Sequence, residues 1–90
     1  MQILKIGADW CMSCLVMRPR FAQIEKENPK LVTEYFDYDK DKEVVEKYSL
    51  EKSKLPVFIF LDKNGKELDR LLGEPSKKKI LEFIAKYESN

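Results

Sequence analysis

The chain has 90 residues, enough for one domain and too few for two independent hydrophobic cores. Its 43% hydrophobic content supports an ordinary packed core. Its 17 basic and 16 acidic residues leave a net charge of +1, so there is no global field to draw nucleic acid or an anionic membrane. The opening MQILKIGADW has neither the basic run nor the cleavage site of a secretory leader. No stretch approaches the roughly 18 apolar residues of a membrane span. A soluble cytoplasmic protein is expected, with neither nucleic acid nor membrane as a partner.

Residues 3–8, ILKIGA, read as a strand ending at Gly7. From Cys11 the apolar period changes. Cys14, Met17, Phe21 and Ile24 recur at steps of three, four and three, the stripe of an amphipathic helix running to about Lys26 before ENP stops it. Residues 31–38, LVTEYFDY, are rich in aromatic and β-branched side chains and read as a second strand, with Tyr35, Phe36 and Tyr38 as core or flanking residues. Residues 41–50 form a short helix with Asp41 near its start. Residues 55–62, LPVFIFLD, hold an unbroken apolar run from Val57 to Leu61, expected of a central strand covered on both faces. DKNGK at 62–66 is a hairpin turn in which Asn64 and Gly65 can take positive φ, and 67–72 is the returning strand. After GEP at 73–75, Ile80, Leu81, Ile84 and Tyr87 lie at helical spacing, with Ser76 as the cap.

The order is therefore β-α-β-α-β-β-α over one domain, residues 1–90. The first two strands should be parallel across a right-handed crossover and the closing hairpin antiparallel. A four-stranded mixed sheet with helices on both faces is the natural packing.

The only cysteines, Cys11 and Cys14, stand one helical turn apart in a chain without histidine. A structural staple is a poor explanation, because a bridge closing so small a ring constrains the unfolded chain little and a reducing cytosol opposes it. Zinc is also a poor fit, since only carboxylates or a second chain could complete its four ligands. A redox dithiol fits, with a redox-inert remnant as the alternative. Cys11 falls where amides of the helix's first turn, near Ser13 and Cys14, point at its sulfur and the helix dipole favours thiolate. Cysteines so placed titrate from about 3.5 to 7.5, against about 8.5 when free. Cys14 begins the apolar stripe and should face the core, its sulfur on the same side as that of Cys11. An exposed acidic thiol beside a shielded one can attack a disulfide and then resolve the mixed disulfide.

These residues resemble the thioredoxin family. DWCMSC is similar to its Trp-Cys-x-x-Cys site, and Pro19 to the proline within its active-site helix. KLPVFIFLDKNGKELDRLLGEPSKKKILEFI resembles its C-terminal half. The resemblance covers essentially the whole chain and implies an α/β thioredoxin-like fold lacking the extra N-terminal strand and helix of longer members. It implies Cys11 as nucleophile, Cys14 as resolving cysteine and Trp10 as the bordering aromatic. Pro56 would be a cis-proline across from the cysteines, and Leu55 would offer its backbone to an extended peptide. Gly73 would let substrate approach the same surface. Met12 and Ser13 replace the familiar Gly-Pro between the cysteines, and they tune the potential while bordering the substrate.

The activity so implied is reduction of protein disulfides, with thioredoxin reductase or glutathione as electron donor and neither cofactor nor metal. The alternatives are an oxidising or glutathione-coupled member of the same fold and a redox-inert binding module. Lys5 occupies the place of a buried acid that serves the second cysteine in thioredoxins. A lysine is the same base only if burial strongly lowers its pKa. The simpler expectation lays its stem on apolar surface with the ammonium in water, leaving Cys14 to lose its proton to water or to another group. The Lys77–Lys79 run, flanked by acids and without an aromatic platform, reads as a solvated face.

Overall fold

Val57 to Leu61, five apolar residues in a row, form a strand buried along its whole length, and the sheet extends outward from it. The structure, a computed structural model, describes residues 1–89. In chain order its elements are β1 Gln2–Gly7, α1 Met12–Glu27, β2 Val32–Asp37, α2 Lys42–Lys47, β3 Val57–Leu61, β4 Glu67–Leu72 and α3 Lys77–Tyr87. The sheet order is β2-β1-β3-β4. β1 runs parallel to β2 and antiparallel to β3, and β3 pairs antiparallel with β4. This is the mixed sheet expected from the element order.

Strand alternation divides the core into two. Ile3 of β1 with Phe58 and Phe60 of β3 face α1 and α3, packing against Met17, Phe21, Ile24, Ile80 and Ile84. The Phe21 and Phe58 rings stack at 4.9 Å between centroids. Leu4, Ile6, Val57, Ile59 and Leu61 point to the other face, where Val45 of α2 and Leu50 cover them. The α1 stripe is the one expected, since the residues that α1 buries are Cys14, Met17, Phe21 and Ile24. Pro19 lies inside that helix on its exposed side, where its missing N–H removes one backbone bond away from the core.

Three local expectations need correction. The helix expected over 41–50 stops at Lys47. Ser49 takes φ 57° there, the Ser49 amide bonds the Glu46 carbonyl at 3.1 Å, and the Leu50 amide bonds that of Val45 at 2.8 Å. This left-handed closure turns the chain so that Leu50 drops into the core with no exposure. In the hairpin only Gly65 has positive φ, at 82°, not Asn64. The Asp62 carboxylate accepts from the amides of Asn64 and Lys66 at 2.8 and 2.9 Å, and this clamp shapes the turn. Strand β3 begins after Pro56 rather than at Leu55. Ser76 caps α3 as expected, its hydroxyl accepting from the Lys79 amide at 3.1 Å.

Leu50 carries much of the cover on the α2 face because α2 itself buries only Val45. Replacing Leu50 with Ala is expected to cost about 2–5 kcal/mol of unfolding free energy. In urea titration the midpoint should fall while the denaturant slope stays unchanged.

Candidate active site

The Gly7 end of β1 leads through Ala8–Trp10 into α1, and Cys11 is the residue at the junction. Its backbone is extended (φ −96°, ψ 114°) and its sulfur accepts a hydrogen bond from the Cys14 amide at 3.2 Å, making Cys11 the N-cap of α1. The cap satisfies one of the amides that a helix start leaves without a partner. The same bond corrects the expectation of an exposed thiol. Capping turns the sulfur back toward the helix, and Cys11 is only 8% exposed, against 4% for Cys14. Cys11 still lines a surface groove of about 460 Å³ with Trp10, Met12, Ser13, Tyr38 and Leu55.

Cys14 belongs to a second pocket of about 160 Å³, shared with Lys5, Gly7, Arg18, Tyr35 and Pro56. Burial pushes its thiol up from 9.0 to about 12, and its hydrogen bond with Cys11 and the charge there act in the same direction. A hydrogen bond from Ala8 and the positive charge of Arg18 pull the other way. Cys14 therefore stays protonated at neutral pH. The two sulfurs meet across one helical turn, one opening to the groove and the other to the inner pocket, and both cysteines are free thiols.

The other expected site residues divide between these two spaces. Trp10 is 64% exposed and stands at the groove rim, where its indole N–H donates to Asp39 at 2.7 Å and its ring meets Tyr38 edge-on. Met12 is exposed, and Ser13 donates its hydroxyl to Glu74 Oε2 at 2.7 Å. Leu55 lines the groove, whereas Pro56 lines the pocket of Cys14. The Leu55–Pro56 bond is cis. Gly73 lines neither space. It is buried with φ 78°, its amide bonds the Pro56 carbonyl at 2.8 Å, and Lys54 lies over it, with Cε 3.1 Å from where a Cβ would stand.

Lys5 also departs from expectation. Its ammonium is not in open water but 2.6 Å from Glu25 Oε2 and 5.3 Å from the centre of the Phe21 ring. Burial raises Glu25, but the hydrogen bonds from Lys5 and Thr33 and the lysine charge outweigh it, holding the carboxyl below its usual range. The pair satisfies itself and leaves Cys14 to other groups. Arg18, Tyr35, Asp39 and Glu74 were not singled out by sequence reasoning as site residues. Only Arg18 carried a signal, its position one turn beyond Cys14 on the same helix face. Among the described residues no group of three or more His, Cys, Asp or Glu is arranged to hold a metal ion, and no helix is long and apolar enough to cross a membrane.

A parallel strand-helix-strand unit, a cysteine capping the helix, and a proline loop walling the second cysteine define an α/β protein of thioredoxin-like fold. The thioredoxin family model matches residues 1–88, and the chain belongs to that family. It is 39% identical to an H-type thioredoxin of Oryza sativa subsp. indica over 79% of this chain and 56% of that one. It is 31% identical to the thioredoxin of Chlamydia trachomatis serovar D, over 96% of this chain and 81% of the relative. Among solved structures, Fasciola hepatica thioredoxin superposes with a TM-score of 0.85 at 31% identity, over 96% of this chain and 79% of that one. The chain thus spans little more than half of the rice relative, and 64% of an H-type thioredoxin of Nicotiana tabacum.

The raised Cys14 titration has a consequence for stability. Between the ordinary value of 9.0 and about 12 the unfolded chain releases this proton and the folded chain keeps it. The contribution is thus fully present below pH 9 and is lost as pH rises toward 12. Urea unfolding of the reduced protein is expected to show a fall in stability over that window that is smaller in Cys14→Ser.

Proposed function

We propose that this chain is a thiol–disulfide oxidoreductase that reduces disulfides of protein substrates, working in a reducing compartment such as the cytoplasm. The observation that carries the reading is the meeting of two free sulfurs in unlike surroundings, Cys11 on an open groove and Cys14 held protonated behind it. Membership of the thioredoxin family supports it.

In this reading Cys11 gives its proton to solvent and its sulfur attacks one sulfur of a substrate disulfide reaching the groove. A bond forms between Cys11 and the substrate, and the substrate's second sulfur leaves as a thiolate that takes a proton. Cys14 then loses its proton and attacks the Cys11 sulfur. The mixed disulfide breaks, the remaining substrate thiol is released, and Cys11 and Cys14 end bridged. Two electrons pass from the dithiol to the substrate. A thioredoxin reductase or glutathione returns the bridge to the dithiol. The order of attack follows from access, since Cys11 is the cysteine that lines the groove.

The groove suits a peptide. Trp10, Met12 and Leu55 present apolar surface beside the sulfur. The Leu55 backbone lies before the start of β3 and can meet an extended guest, while the Pro56 carbonyl is already taken by the Gly73 amide. Ser13 and Glu74 form a polar latch at the margin.

Insulin reduction driven by dithiothreitol tests the reading. Cys11→Ser is expected to reduce turnover to the uncatalysed background. Cys14→Ser should accumulate a covalent adduct with substrate, visible by mass spectrometry under non-reducing conditions. Unchanged turnover in Cys11→Ser would overturn the assignment.

A further inference from the structure

The inner pocket holds a group that the scheme above does not use. Arg18 follows Cys14 by four residues on α1, so the two lie on one helix face, and both line the pocket with Gly7 and Tyr35. A methyl group placed on Gly7 would stand 3.1 Å from the Cys14 sulfur and 3.2 Å from the Tyr35 phenol oxygen. The phenol thus reaches over the end of β1 toward the buried sulfur. The Arg18 guanidinium lies against that phenol, and Nη2 donates to Asp9 Oδ1 at 3.4 Å. A long side chain that is half exposed is thereby tethered from both sides at the wall of the pocket that Cys14 lines.

Lys5 does not compete for this role. Its ammonium is held by Glu25, which lies about three helical turns from Cys14 along α1. The ionisable groups facing Cys14 are Cys11 and Arg18 from α1 and its cap and Tyr35 from β2. Asp9 sits behind Arg18, Asp37 acts on Tyr35, and Lys5 and Glu25 pair at the far end of the pocket. Pro56 and Phe58 close the β3 side without a charge.

We propose that Arg18, steadied by Tyr35 and Asp9, is the positioning residue of the resolving step, its guanidinium stabilising the negative charge that Cys14 must acquire to attack the mixed disulfide. The inference rests on the dithiol reading above. In the step it serves, the Cys14 S–H gives its proton to solvent water and the Cys14–Cys11 bond forms. The bond from Cys11 to substrate breaks, and the departing thiolate takes a proton from solvent. Arg18 neither gives nor takes a proton. It lowers the cost of the anion in a pocket where burial opposes it, and the electrostatic pull of Arg18 on Cys14 runs in the required direction.

The test is the alkylation rate of Cys14 by iodoacetamide against pH in a Cys11→Ser background, where the rate follows the thiolate fraction. Adding Arg18→Met is expected to lower the rate about 3- to 10-fold at a given pH, the equivalent of displacing the profile by half a unit to one unit toward higher pH. Arg18→Lys should recover much of the loss, and Tyr35→Phe should show a smaller displacement of the same sign. Far-UV circular dichroism and the urea midpoint establish that each variant is folded, and the half-exposed position of Arg18 makes this the expected result. Coincident profiles for Arg18→Met and its parent would overturn the assignment. Insulin reduction by the unsubstituted chain separates the two readings. If it is absent, the dithiol reading fails and this inference with it; if it is present while the profiles coincide, only Arg18 fails.

Discussion

The first turn of α1 is closed by a sulfur atom, and the placement of everything near it follows from that bond. Oxygen side chains are the usual N-caps because they accept well from the free amides of a helix start. Here Cys11 takes that place, with the Cys14 amide as donor at 3.2 Å. The bond ties the position of one thiol to the backbone of the other. It holds because Met17, Phe21 and Ile24 press α1 against Ile3, Phe58 and Phe60, so the helix start cannot drift from the end of β1. Packing several turns away thereby sets the distance between two sulfurs. The closing of β3 onto β1 adds the opposite wall, since Pro56 enters the Cys14 pocket just before β3 begins.

The two thiols, set where the end of β1 leads into α1, differ in what surrounds them. Cys11 lines a groove whose rim carries exposed Trp10 and Met12, a surface that a guest can cover. Cys14 is enclosed, and enclosure is what raises it so far, with the neighbouring sulfur adding to the effect. A pair made alike would lack direction. Burial supplies the asymmetry and at the same time makes the second anion hard to form. Of the two cations that line the Cys14 pocket, Lys5 is held 2.6 Å from Glu25, whereas Arg18 lies against the Tyr35 phenol and reaches Asp9 at the longer distance of 3.4 Å.

Much of this was readable from the residues in order. The α1 stripe, the buried run of β3, the Ser76 cap and the succession of elements along the chain all depend on local period or on short-range chemistry, and these survive in one dimension. The pairing of Cys11 with Cys14 was legible for the same reason. Contacts made across elements were not. Glu25 and Lys5 are 20 residues apart, and Ser13 and Glu74 are 61 apart; no spacing rule links them. Tyr35 looked like an ordinary strand residue because its place beside Cys14 depends on standing opposite Lys5 in the β1–β2 register, on the same face as Gly7. The burial of Cys11 was missed because a cap's side chain can turn outward or inward, and only the observed bond decides. Gly73 was expected at the binding surface, but it is sealed by Lys54, whose flexible chain no pattern could have placed.

Tyr35 is carried on β2, the edge strand whose one neighbour in the sheet is β1. Bonded along a single side, β2 has half the ladder of an interior strand, and its Tyr35 forms the outer wall of the space around the enclosed sulfur. The groove in front is built from the loop before α1 and the segment leading to β3. The two thiols therefore look out on separate hollows, one at the margin of the sheet and one beyond the helix start.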